Sequence, residues 1–342
     1  MTGTAQHRVT LAFSDGVEHE LTVDPGGSVL EAGLAAGLPL LHQCRSGSCS
    51  SCLATLVEGE AATLPGCSSS LLASERAAGQ RLLCVTGADS ACRFALPYDS
   101  KVGENRAVEG HAFVNAVERV AADVMRLELE LAEDCWFEFR PGQFIQIKVP
   151  GTDQTRSYSI ASTPAELPKI ELLIRLLPGG VMSEWLLGQA AVDTVLEISG
   201  PYGAFFLQEA SKAPVVMIAG GTGLAPMMAM IDVIRARPGR KPPIQLSFGC
   251  QNAEGLFHGE AIALRSMWLP SLTVTTSVDC GPAPDGVRIG NPVEAVGADG
   301  PLDPETVAYL CGPPGMIEAA RSRLQALGVA PGNIHAEQFV AS

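Results

Sequence analysis

Four cysteines in this sequence have the spacing to hold iron. Cys44, Cys49 and Cys52 form a C-x4-C-x2-C run, and Cys84 follows 32 positions after the third cysteine. Loop thiolates with this spacing ligate [2Fe-2S] clusters. The loop needs small residues such as Gly47, because bulky side chains would keep backbone N–H groups away from the bridging sulfides. We therefore predict that these four cysteines ligate a [2Fe-2S] cluster.

A four-cysteine zinc site is the alternative interpretation, although zinc knuckles usually bring two closely spaced cysteine pairs. His42, next to Cys44, raises the question of a Rieske site, but the sequence has no second Cys-His pair, and we assign His42 no metal role. Five further cysteines lack any ligand spacing and are expected to be free thiols. These are Cys67, Cys92, Cys135, Cys250 and Cys280.

Two short segments downstream carry groups that suit a flavin. Arg156-Ser157-Tyr158-Ser159 follows a strand-like segment, and Gly179-Gly180-Val181-Met182-Ser183 precedes an amphipathic stretch that we predict to be a helix. An arginine can neutralise phosphate, a tyrosine can pack on the flavin, and a serine hydroxyl can bond a ring nitrogen. Glycines at a helix N-terminus suit a pyrophosphate. Taken alone, Arg156 could equally form a surface ion pair, and Tyr158 could be a core aromatic.

Two glycine segments that follow buried strands suit a nicotinamide dinucleotide. Gly220-Gly221-Thr222-Gly223-Leu224-Ala225-Pro226 opens a helix whose positive end can meet a pyrophosphate, although it is not a G-x-G-x-x-G fingerprint. Cys311-Gly312-Pro313 ends a second strand, where ligands gather outside the carboxyl ends of parallel strands. The alternatives are glycines that serve strand–helix packing and a Cys311 that is a buried core thiol.

The choice between NADH and NADPH depends on charge near the adenosine ribose. NADPH recognition needs a positive group shortly after the second strand of the nucleotide domain. The segment from Ser247 to Glu254 contains no lysine or arginine and ends on the acidic Glu254. We therefore expect NADH to be the donor.

The elements that must position these groups begin with a predicted hairpin around Ser14-Asp15-Gly16, whose flanks alternate apolar and polar residues. A short helix over Val29–Ala36 should lead into the cysteine loop. The polar segment from Pro97 to Arg106 is interpreted as a surface linker.

Two different patterns follow this linker. Phe113–Val149 and Ile170–Leu177 alternate apolar residues, which predicts antiparallel strands in a β-barrel. After Gly203, short apolar runs such as Val215–Ala219 alternate with helical stretches, which predicts a parallel α/β domain.

Composition sets the outer limits of these predictions. At 342 residues the chain is too long for one core, so two or three domains are expected. The 37 acidic residues exceed the 23 basic ones and give a formal net charge of -14, which argues against a nucleic-acid partner. Neither a secretory signal nor a membrane span is evident, so we expect a cytoplasmic protein in which metal or redox chemistry accounts for some of the ten cysteines.

With the cysteine loop, R-x-Y-S, G-G-x-x-S and the nucleotide segments in this order, the sequence resembles the ferredoxin-NADP reductase superfamily. Within it, the sequence is most similar to reductase components of benzoate-type ring-hydroxylating dioxygenases with an N-terminal plant-type [2Fe-2S] ferredoxin domain. The likeness covers nearly the whole chain. It implies a β-grasp ferredoxin domain over residues 5–98, an FAD-binding β-barrel domain over 107–208 and an NAD-binding α/β domain over 213–342.

The resemblance also implies roles for individual residues. FAD is favoured over FMN, because the ferredoxin is N-terminal. The implied FAD contacts are Arg156, Ser157, Tyr158, Ser159, Ile174, Arg175, Gly180, Val181, Met182 and Ser183. The implied NADH contacts are Gly221, Thr222, Gly223, Pro226, Glu254, Cys311, Gly312, Pro313 and Phe339. Glu337-Gln338-Phe339 matches the superfamily's pattern of an acidic residue, any residue and an aromatic, and the implied catalytic residues are Ser159, Cys311, Glu337 and Phe339.

The activity implied is that of an NADH-dependent reductase that passes single electrons from FAD through the cluster to a Rieske-type aromatic-ring-hydroxylating dioxygenase. The reductase of a di-iron monooxygenase or of a deoxysugar dehydratase is the enzymatic alternative. An iron-sulfur electron carrier or redox sensor without NADH turnover is the non-enzymatic one. The ferredoxin region has nine acidic against five basic residues up to Tyr98, and we expect it to dock on a basic oxygenase surface.

Overall fold

The computed structural model describes residues 6–105, 107–208, 212–298 and 300–339. Residues 5 and 342, where the first predicted domain begins and the last one ends, lie outside these ranges, as does Arg106, the last residue of the predicted linker. The chain divides into two compact units, one of residues 1–107 with 202–204 and one of residues 108–201 with 205–342. None of the described helices combines the length and apolar character needed to traverse a bilayer.

The first unit is a small mixed sheet with short helices. Its elements are β1 (His7–Ala12), β2 (Glu18–Val23), α1 (Val29–Ala35), β3 (Leu53–Glu58), β4 (Ala61–Thr63), α2 (Ala73–Ala77), β5 (Gln80–Leu82), β6 (Thr86–Ala88) and β7 (Cys92–Ala95). In the described residues, five strands form a sheet in the order β2-β1-β7-β3-β5, with β1 and β7 parallel, and β4 pairs with β6.

The predicted hairpin and first helix are confirmed. β1 and β2 pair antiparallel around the turn at Ser14-Asp15-Gly16, and alternate residues such as Val9 and Leu11 are fully buried. α1 ends one residue before the predicted Ala36, and its N-terminus is capped by Ser28, whose hydroxyl accepts the N–H of Glu31 at 3.2 Å. The helix therefore delivers the chain into the cysteine loop as expected.

The prediction of a surface linker after Pro97 is wrong for its first half. Tyr98 is 1% exposed, and its hydroxyl accepts a hydrogen bond from the backbone N–H of Leu41 at 3.1 Å. Val102 is buried as well, and the hydroxyl of Ser100 donates to Asp15 at 2.7 Å. The segment therefore packs on the first unit, because one tyrosine and one valine anchor an otherwise polar stretch.

The second unit begins with an antiparallel sheet. Its first elements are β8 (Val108–Ala121), β9 (Val124–Leu131), β10 (Phe144–Lys148), β11 (Thr155–Ser159), β12 (Lys169–Arg175), α3 (Val181–Gly188) and β13 (Val195–Tyr202). The strand order within the described residues is β11-β10-β13-β8-β9-β12. β8 pairs antiparallel with β9 and β13, β9 with β12, and β10 with β11, which confirms the predicted antiparallel strands. Ile160, just after β11, forms a bridge with Leu172 of β12, the strand at the other end of the order.

The rest of the second unit is a parallel sheet with helices. Its elements are β14 (Val215–Gly220), α4 (Leu224–Ala236), β15 (Ile244–Cys250), α5 (Gly259–Trp268), β16 (Leu272–Val278), β17 (Arg288–Ile289), β18 (Val307–Gly312), α6 (Pro314–Ala326) and β19 (Ile334–Gln338). The described strands follow the order β17-β16-β15-β14-β18-β19 and are paired in parallel, which confirms the α/β prediction. β14 is an apolar run with both faces covered, as a central parallel strand requires.

Candidate functional site

The cysteine loop between α1 and β3 brings its sulfur atoms together. The sulfur of Cys44 accepts the backbone N–H groups of Ser46, Ser48 and Cys49, each at 3.4 Å. The thiols of Cys49 and Cys84 also donate to Cys44, and these contacts, with the side chains of Ser48 and Ser46, lower its pKa. The Cys84 thiol likewise lowers the pKa of Cys52. The four predicted ligands are therefore mutual neighbours.

The backbone of this loop is held in an unusual conformation. Arg45 and Ser50 adopt φ values of +55° and +56°, and Gly47 has a φ of +79°. A Cβ atom on Gly47 would lie 2.2 Å from the carbonyl oxygen of Ser68, and the N–H of Ser70 donates to the Gly47 carbonyl at 2.8 Å. Left-handed backbone at non-glycine residues costs about 1–3 kcal/mol and persists where surrounding structure enforces it. The loop is thus held by contacts with the Ser68–Ser70 segment rather than by local preference.

The donor set fits a binuclear iron-sulfur cluster. It consists of four sulfurs surrounded by inward-facing amides, as such clusters require. Among the described residues no three His, Cys, Asp or Glu side chains converge as around one metal ion. A [2Fe-2S] cluster does not require such convergence, because its four thiolates are divided between two irons.

The flavin-side residues lie on β11 with alternating exposure. Ser159 is buried, Tyr158 is partly buried against the core of the antiparallel sheet, and Ser157 is exposed. Burial raises the pKa of Tyr158. Arg156 donates to the carbonyl oxygen of Thr155 at 2.9 Å and to the side-chain oxygen of Gln154 at 2.7 Å, and it forms no ion pair with any described carboxylate. Its positive charge is therefore available to a phosphate.

The first turn of α3 offers backbone donors. Val181, Met182 and Ser183 open the helix after Gly180, so their N–H groups have no partner within the helix. The hydroxyl of Ser183 accepts the N–H of Leu177 at 2.8 Å, which ties the preceding turn to the helix. These amides fit a pyrophosphate at the positive end of a helix.

Ile174 and Arg175 lie at the end of β12, close to the nucleotide region. Ile174 is 1% exposed, whereas Arg175 is exposed and pairs with Asp123, with Nε 3.3 Å from the carboxylate. Asp123 occupies the turn between β8 and β9, and its carbonyl accepts the N–H of Leu176 at 2.7 Å. The ion pair holds the guanidinium beside the strand end.

The nucleotide loop shows two different uses of glycine. Gly223 touches the end of β18, where an added Cβ would lie 2.2 Å from the carbonyl oxygen of Cys311. Gly221 has a φ of +55°, and no atom lies within 4 Å of its hypothetical Cβ. Gly223 is thus required for close packing, which does not exclude a backbone contact with NADH, whereas Gly221 leaves open space before α4 that fits a pyrophosphate. Thr222 and Pro226 are buried.

Ser159, Cys311 and Glu337, which together we call the seam, join the antiparallel sheet to the parallel one. The hydroxyl of Ser159 donates to Glu337 at 3.0 Å, although the two residues are 178 positions apart. Glu337 lies opposite Cys311 in the β18–β19 pair. Desolvation raises the pKa of Glu337 to about 7, while the Ser159 hydrogen bond opposes the shift. Burial, with the nearby Glu337 carboxylate, also raises the pKa of Cys311.

The remaining predicted NADH contacts differ in their exposure and in their hydrogen bonds. The N–H of Phe339 donates to the carbonyl of Gly312 at 2.9 Å, and its partly buried ring packs on the core of the parallel sheet. Pro313 is exposed at the start of α6. Glu254 is exposed, and its carbonyl accepts the N–H of Ala122 from the β8–β9 turn at 3.0 Å.

Two residues near the nucleotide loop were missed by sequence reasoning. Cys250 ends β15 as Cys311 ends β18, and its sulfur accepts the N–H of Gly221. Burial, together with Asp123, raises the pKa of Cys250 to about 12. The strand-end rule that singled out Cys311 applies equally to Cys250, whereas Asp123 carries no local signal. The five cysteines outside the motifs are free thiols, as predicted.

Comparisons with known proteins agree with this division of the chain. Residues 12–89 match the 2Fe-2S iron-sulfur cluster binding domain, residues 111–207 the oxidoreductase FAD-binding domain, and residues 217–322 the oxidoreductase NAD-binding domain. The chain is 32% identical to the toluate 1,2-dioxygenase electron transfer component of Pseudomonas putida, over 98% of this chain and 99% of that protein. It is 31% identical to the propane 2-monooxygenase reductase component of Gordonia sp. strain TY-5, over 95% of each.

A solved structure extends the likeness to three dimensions. The Amycolatopsis cytochrome P450 reductase GcoB covers 97% of this chain and 98% of its own, with a TM-score of 0.72 and 30% identity. The predicted [2Fe-2S], FAD and NAD domains and the oxidoreductase class are therefore confirmed. The chain belongs to the ferredoxin-NADP reductase superfamily, among the three-domain reductases that carry an N-terminal 2Fe-2S domain.

Proposed function

We propose that the protein takes electrons from NADH and delivers them singly, through FAD and then the [2Fe-2S] cluster, to a Rieske-type aromatic-ring-hydroxylating dioxygenase. The proposal rests chiefly on the Ser159–Glu337 hydrogen bond beside Cys311, which joins the FAD-binding and NAD-binding regions. The same chain carries the four-cysteine loop. The similarity to the electron transfer component of toluate 1,2-dioxygenase supports this class of acceptor.

The site residues keep the roles expected from the sequence. The cluster ligands are Cys44, Cys49, Cys52 and Cys84, supported by their contacting sulfurs. Arg156 and the first-turn amides of α3 bind the FAD phosphates, and Tyr158 and Ser159 contact the flavin, with Ser157, Ile174 and Arg175 contributing further contacts. NADH binds along Gly221, Thr222, Gly223 and Pro226, with Glu254, Gly312, Pro313 and Phe339 around it.

The seam supplies an uncharged, water-poor environment for hydride transfer. When bound, FAD takes the two electrons of the hydride, and the cluster carries one electron at a time. Glu337 retains its proton up to about pH 7, and burial keeps the Cys311 thiol protonated. Ser159 is oriented by its hydrogen bond to Glu337, and Phe339 is anchored through its backbone at Gly312. A nicotinamide ring can thus stack without meeting a charged side chain from the seam.

Several structural details complete the proposal. The first unit is a β-grasp domain, supported by its mixed five-stranded sheet, and the antiparallel sheet closes as a β-barrel, supported by the Ile160–Leu172 bridge. We keep domain limits of 5–98, 107–208 and 213–342. We also place the protein in the cytoplasm, because all ten cysteines are free thiols, as a reducing compartment leaves them.

The test combines a spectrum with a transfer assay. Purified protein should show flavin and iron-sulfur absorbance, and NADH should reduce it at lower concentration than NADPH. The holoprotein should then reduce the oxygenase component encoded beside its gene, and protein whose cluster has been removed should not. Equal rates with and without the cluster would refute the relay.

A monooxygenase partner is the second candidate, favoured by the similarity to the propane 2-monooxygenase reductase component. The reductase chemistry is the same in both cases, so only the acceptor separates them. Parallel assays with a Rieske dioxygenase and a di-iron monooxygenase as acceptors decide between the two, because the true partner is reduced at the lower protein concentration.

A further inference from the structure

The first unit contains a cavity of about 230 Å³ between β4, β5 and α2. Polar side chains on its wall come from Thr63, Ser69, Arg76, Gln80, Arg81 and Thr86. The volume is well above the ~30 Å³ share of one water molecule and below the ~300–1,000 Å³ of drug-sized ligand pockets. It suits one inserted side chain or a small anion.

Positive charge is concentrated in this cavity within an otherwise acidic unit. Of the five basic residues up to Tyr98, Arg93 pairs with Glu18 and Arg45 with Glu31. Arg76 and Arg81 line the cavity, and neither pairs with any carboxylate in the described part of the chain. Because a guanidinium stays protonated at all physiological pH values, two of the residues that line the cavity carry uncompensated positive charges.

The hydrogen bonds of the two arginines fix them without exhausting their donors. Arg81 donates through Nε to the carbonyl of Ala61 at 3.4 Å and through Nη1 to the carbonyls of Gln80 and Arg76 at 2.8 and 3.1 Å. Arg76 donates through Nη1 to the carbonyl of Leu71. In the described residues, Nη2 of each guanidinium makes no hydrogen bond, so both retain N–H groups for an acceptor.

Gln80 adds a second polar feature. Its Oε1 atom is buried and has no hydrogen-bond partner among the described residues. The oxygen and nitrogen of a glutamine amide exchange places by a simple flip, so the buried atom can present either an acceptor or a donor. A buried amide of this kind is completed by a polar occupant.

The cavity shares its walls with the segments that hold the cluster ligands. Leu82 lies on the wall and is separated from Cys84 by Leu83 alone, whose N–H donates to the carbonyl of Cys52 at 3.0 Å. Ser69, also on the wall, lies between Ser68 and Ser70, which both contact Gly47 of the cysteine loop. An occupant of the cavity would therefore sit next to the chain that carries the cluster.

We propose that this cavity is the anchor for a carboxylate side chain of the protein that accepts electrons from the cluster. The inference rests on the proposed function, because it assumes a protein acceptor. Two guanidiniums beside an amide match a bidentate carboxylate, and arginine in a central pocket is a frequent energetic anchor of interfaces. The acidic surroundings discourage free anions and favour a carboxylate carried on a basic surface.

The test uses full-length protein with FAD and cluster, and the oxygenase component encoded beside it as the acceptor. NADH-driven reduction of ferricyanide measures the basal activity. Arg81→Gln and Arg76→Gln should each raise the KM for the oxygenase about tenfold or more, with ferricyanide reduction and the cluster spectrum unchanged. Arg8→Gln removes an exposed arginine of the same unit outside the cavity and should change this KM less than about twofold.

A third variant separates anchoring from a merely structural role of the arginines. Thr63 is exposed at the rim, and Thr63→Glu places a carboxylate against the cavity while both guanidiniums remain. It should raise the oxygenase KM as the arginine variants do, and it decides the question if Arg81→Gln does not fold. An unchanged KM in Arg76→Gln and Thr63→Glu would overturn the anchor.

Acetate and phosphate titrations identify the source of the bound anion. Competition between acetate and the oxygenase that is lost in Arg76→Gln supports the anchor. Acetate or phosphate binding that depends on Arg76 while the oxygenase KM does not would make the cavity a small-anion site and overturn the proposal. If the wild type, reduced by NADH, transfers no electrons to any oxygenase, the proposed function itself fails and the anchor with it.

Discussion

We assign electron transfer to both the cysteine loop and the seam, and the two are assembled in opposite ways. Three of the proposed cluster ligands lie within the nine residues from Cys44 to Cys52, and short-range amides surround the sulfur of Cys44. The seam joins Ser159 to Glu337 across 178 positions and depends on the ends of β11, β18 and β19. A site built within one segment can therefore be damaged alone, whereas a site built from three strands fails when any of them shifts.

The two regions also differ in the charge that they stabilise. The cysteine loop is partly exposed, and its left-handed residues turn N–H groups toward thiolates, so it is designed to stabilise negative charge. The seam is desolvated, and burial raises the pKa of Glu337 to about 7 and keeps Cys311 a thiol, so this region disfavours charge. One region would suit a cluster that changes charge, and the other would suit cofactors whose reaction is disturbed by nearby charged side chains.

The substitution with the largest expected effect distinguishes the activity of the cysteine loop from that of the seam. Cys49→Ser should remove a cluster ligand and lower electron transfer to cytochrome c by at least about a hundredfold, because the cluster is the exit for single electrons. NADH-driven ferricyanide reduction should persist, because the seam is intact. Cys67→Ser, at an exposed free cysteine, is the control. Equal loss of both activities would show that the regions are not independent.

A substitution at the seam should instead slow reduction of the flavin and leave the cluster intact. Ser159→Ala removes the hydroxyl that donates to Glu337 and should slow reduction of the flavin by NADH about tenfold to a hundredfold, while cluster absorbance stays normal. Stopped-flow absorbance measures this rate. Thr155→Ala removes an exposed hydroxyl from the same strand and should have no effect. A normal rate in Ser159→Ala would remove the seam from the mechanism.

Packing at the strand end can be tested through Gly223. Gly223→Ala places a Cβ 2.2 Å from the Cys311 carbonyl and should lower the free energy of unfolding by about 1–3 kcal/mol and raise the KM for NADH. Gly259→Ala, where no atom lies within 4 Å, should leave stability unchanged or slightly higher. Thermal unfolding gives the comparison, and equal melting temperatures would contradict the tight contact.

Glu337 should link stability to pH. Its folded pKa of about 7 lies above the ordinary 4.5, so its contribution to stability is complete below pH 4.5 and is lost as pH rises through 7. From pH 5 to 8, the wild type should lose about 2–3 kcal/mol relative to Glu337→Gln, because burial penalises the carboxylate and not the amide. Denaturant unfolding at both pH values tests this, and parallel pH curves would contradict the shift.

The smallest expected effect concerns the ion pair beside the nucleotide loop. Asp123→Asn removes the partner of Arg175 and should lower the KM for NADPH about twofold to fivefold, because the guanidinium is left uncompensated. Asp134→Asn removes a similarly exposed carboxylate, which pairs with His111, and should not alter this KM. A KM for NADPH that rises in Asp123→Asn would show that Asp123 orders the site instead.

The contrast between local and long-range assembly also explains which features could be predicted from the sequence. The hairpin at Ser14-Asp15-Gly16, the first helix and the cysteine loop depend on neighbours in the chain, and each was predicted nearly to the residue. Several strands of the two later sheets, such as β10, β12 and β14, were predicted from period-2 alternation and apolar runs, whereas β13 and β16 were not. Glu337, by contrast, has no local pattern that distinguishes it from other acidic residues, and only the family resemblance pointed to it.

The errors have related physical causes. Tyr98 is buried by a contact with Leu41, 57 positions away, which its polar neighbours concealed, so the segment was taken for a linker. Asp123 approaches Cys250, whose sulfur accepts the N–H of Gly221, only because two sheets meet there. The cavity between Arg76 and Arg81 likewise arises from tertiary packing, since neither arginine belongs to a recognisable motif.

The most direct test of the ordered relay is anaerobic stopped-flow mixing of the protein with NADH, following flavin and cluster absorbance together in wild type and Ser159→Ala. The account predicts that the variant slows both signals by the same factor, because electrons reach the cluster only through the seam. Reduction of the cluster at the wild-type rate in Ser159→Ala would contradict it.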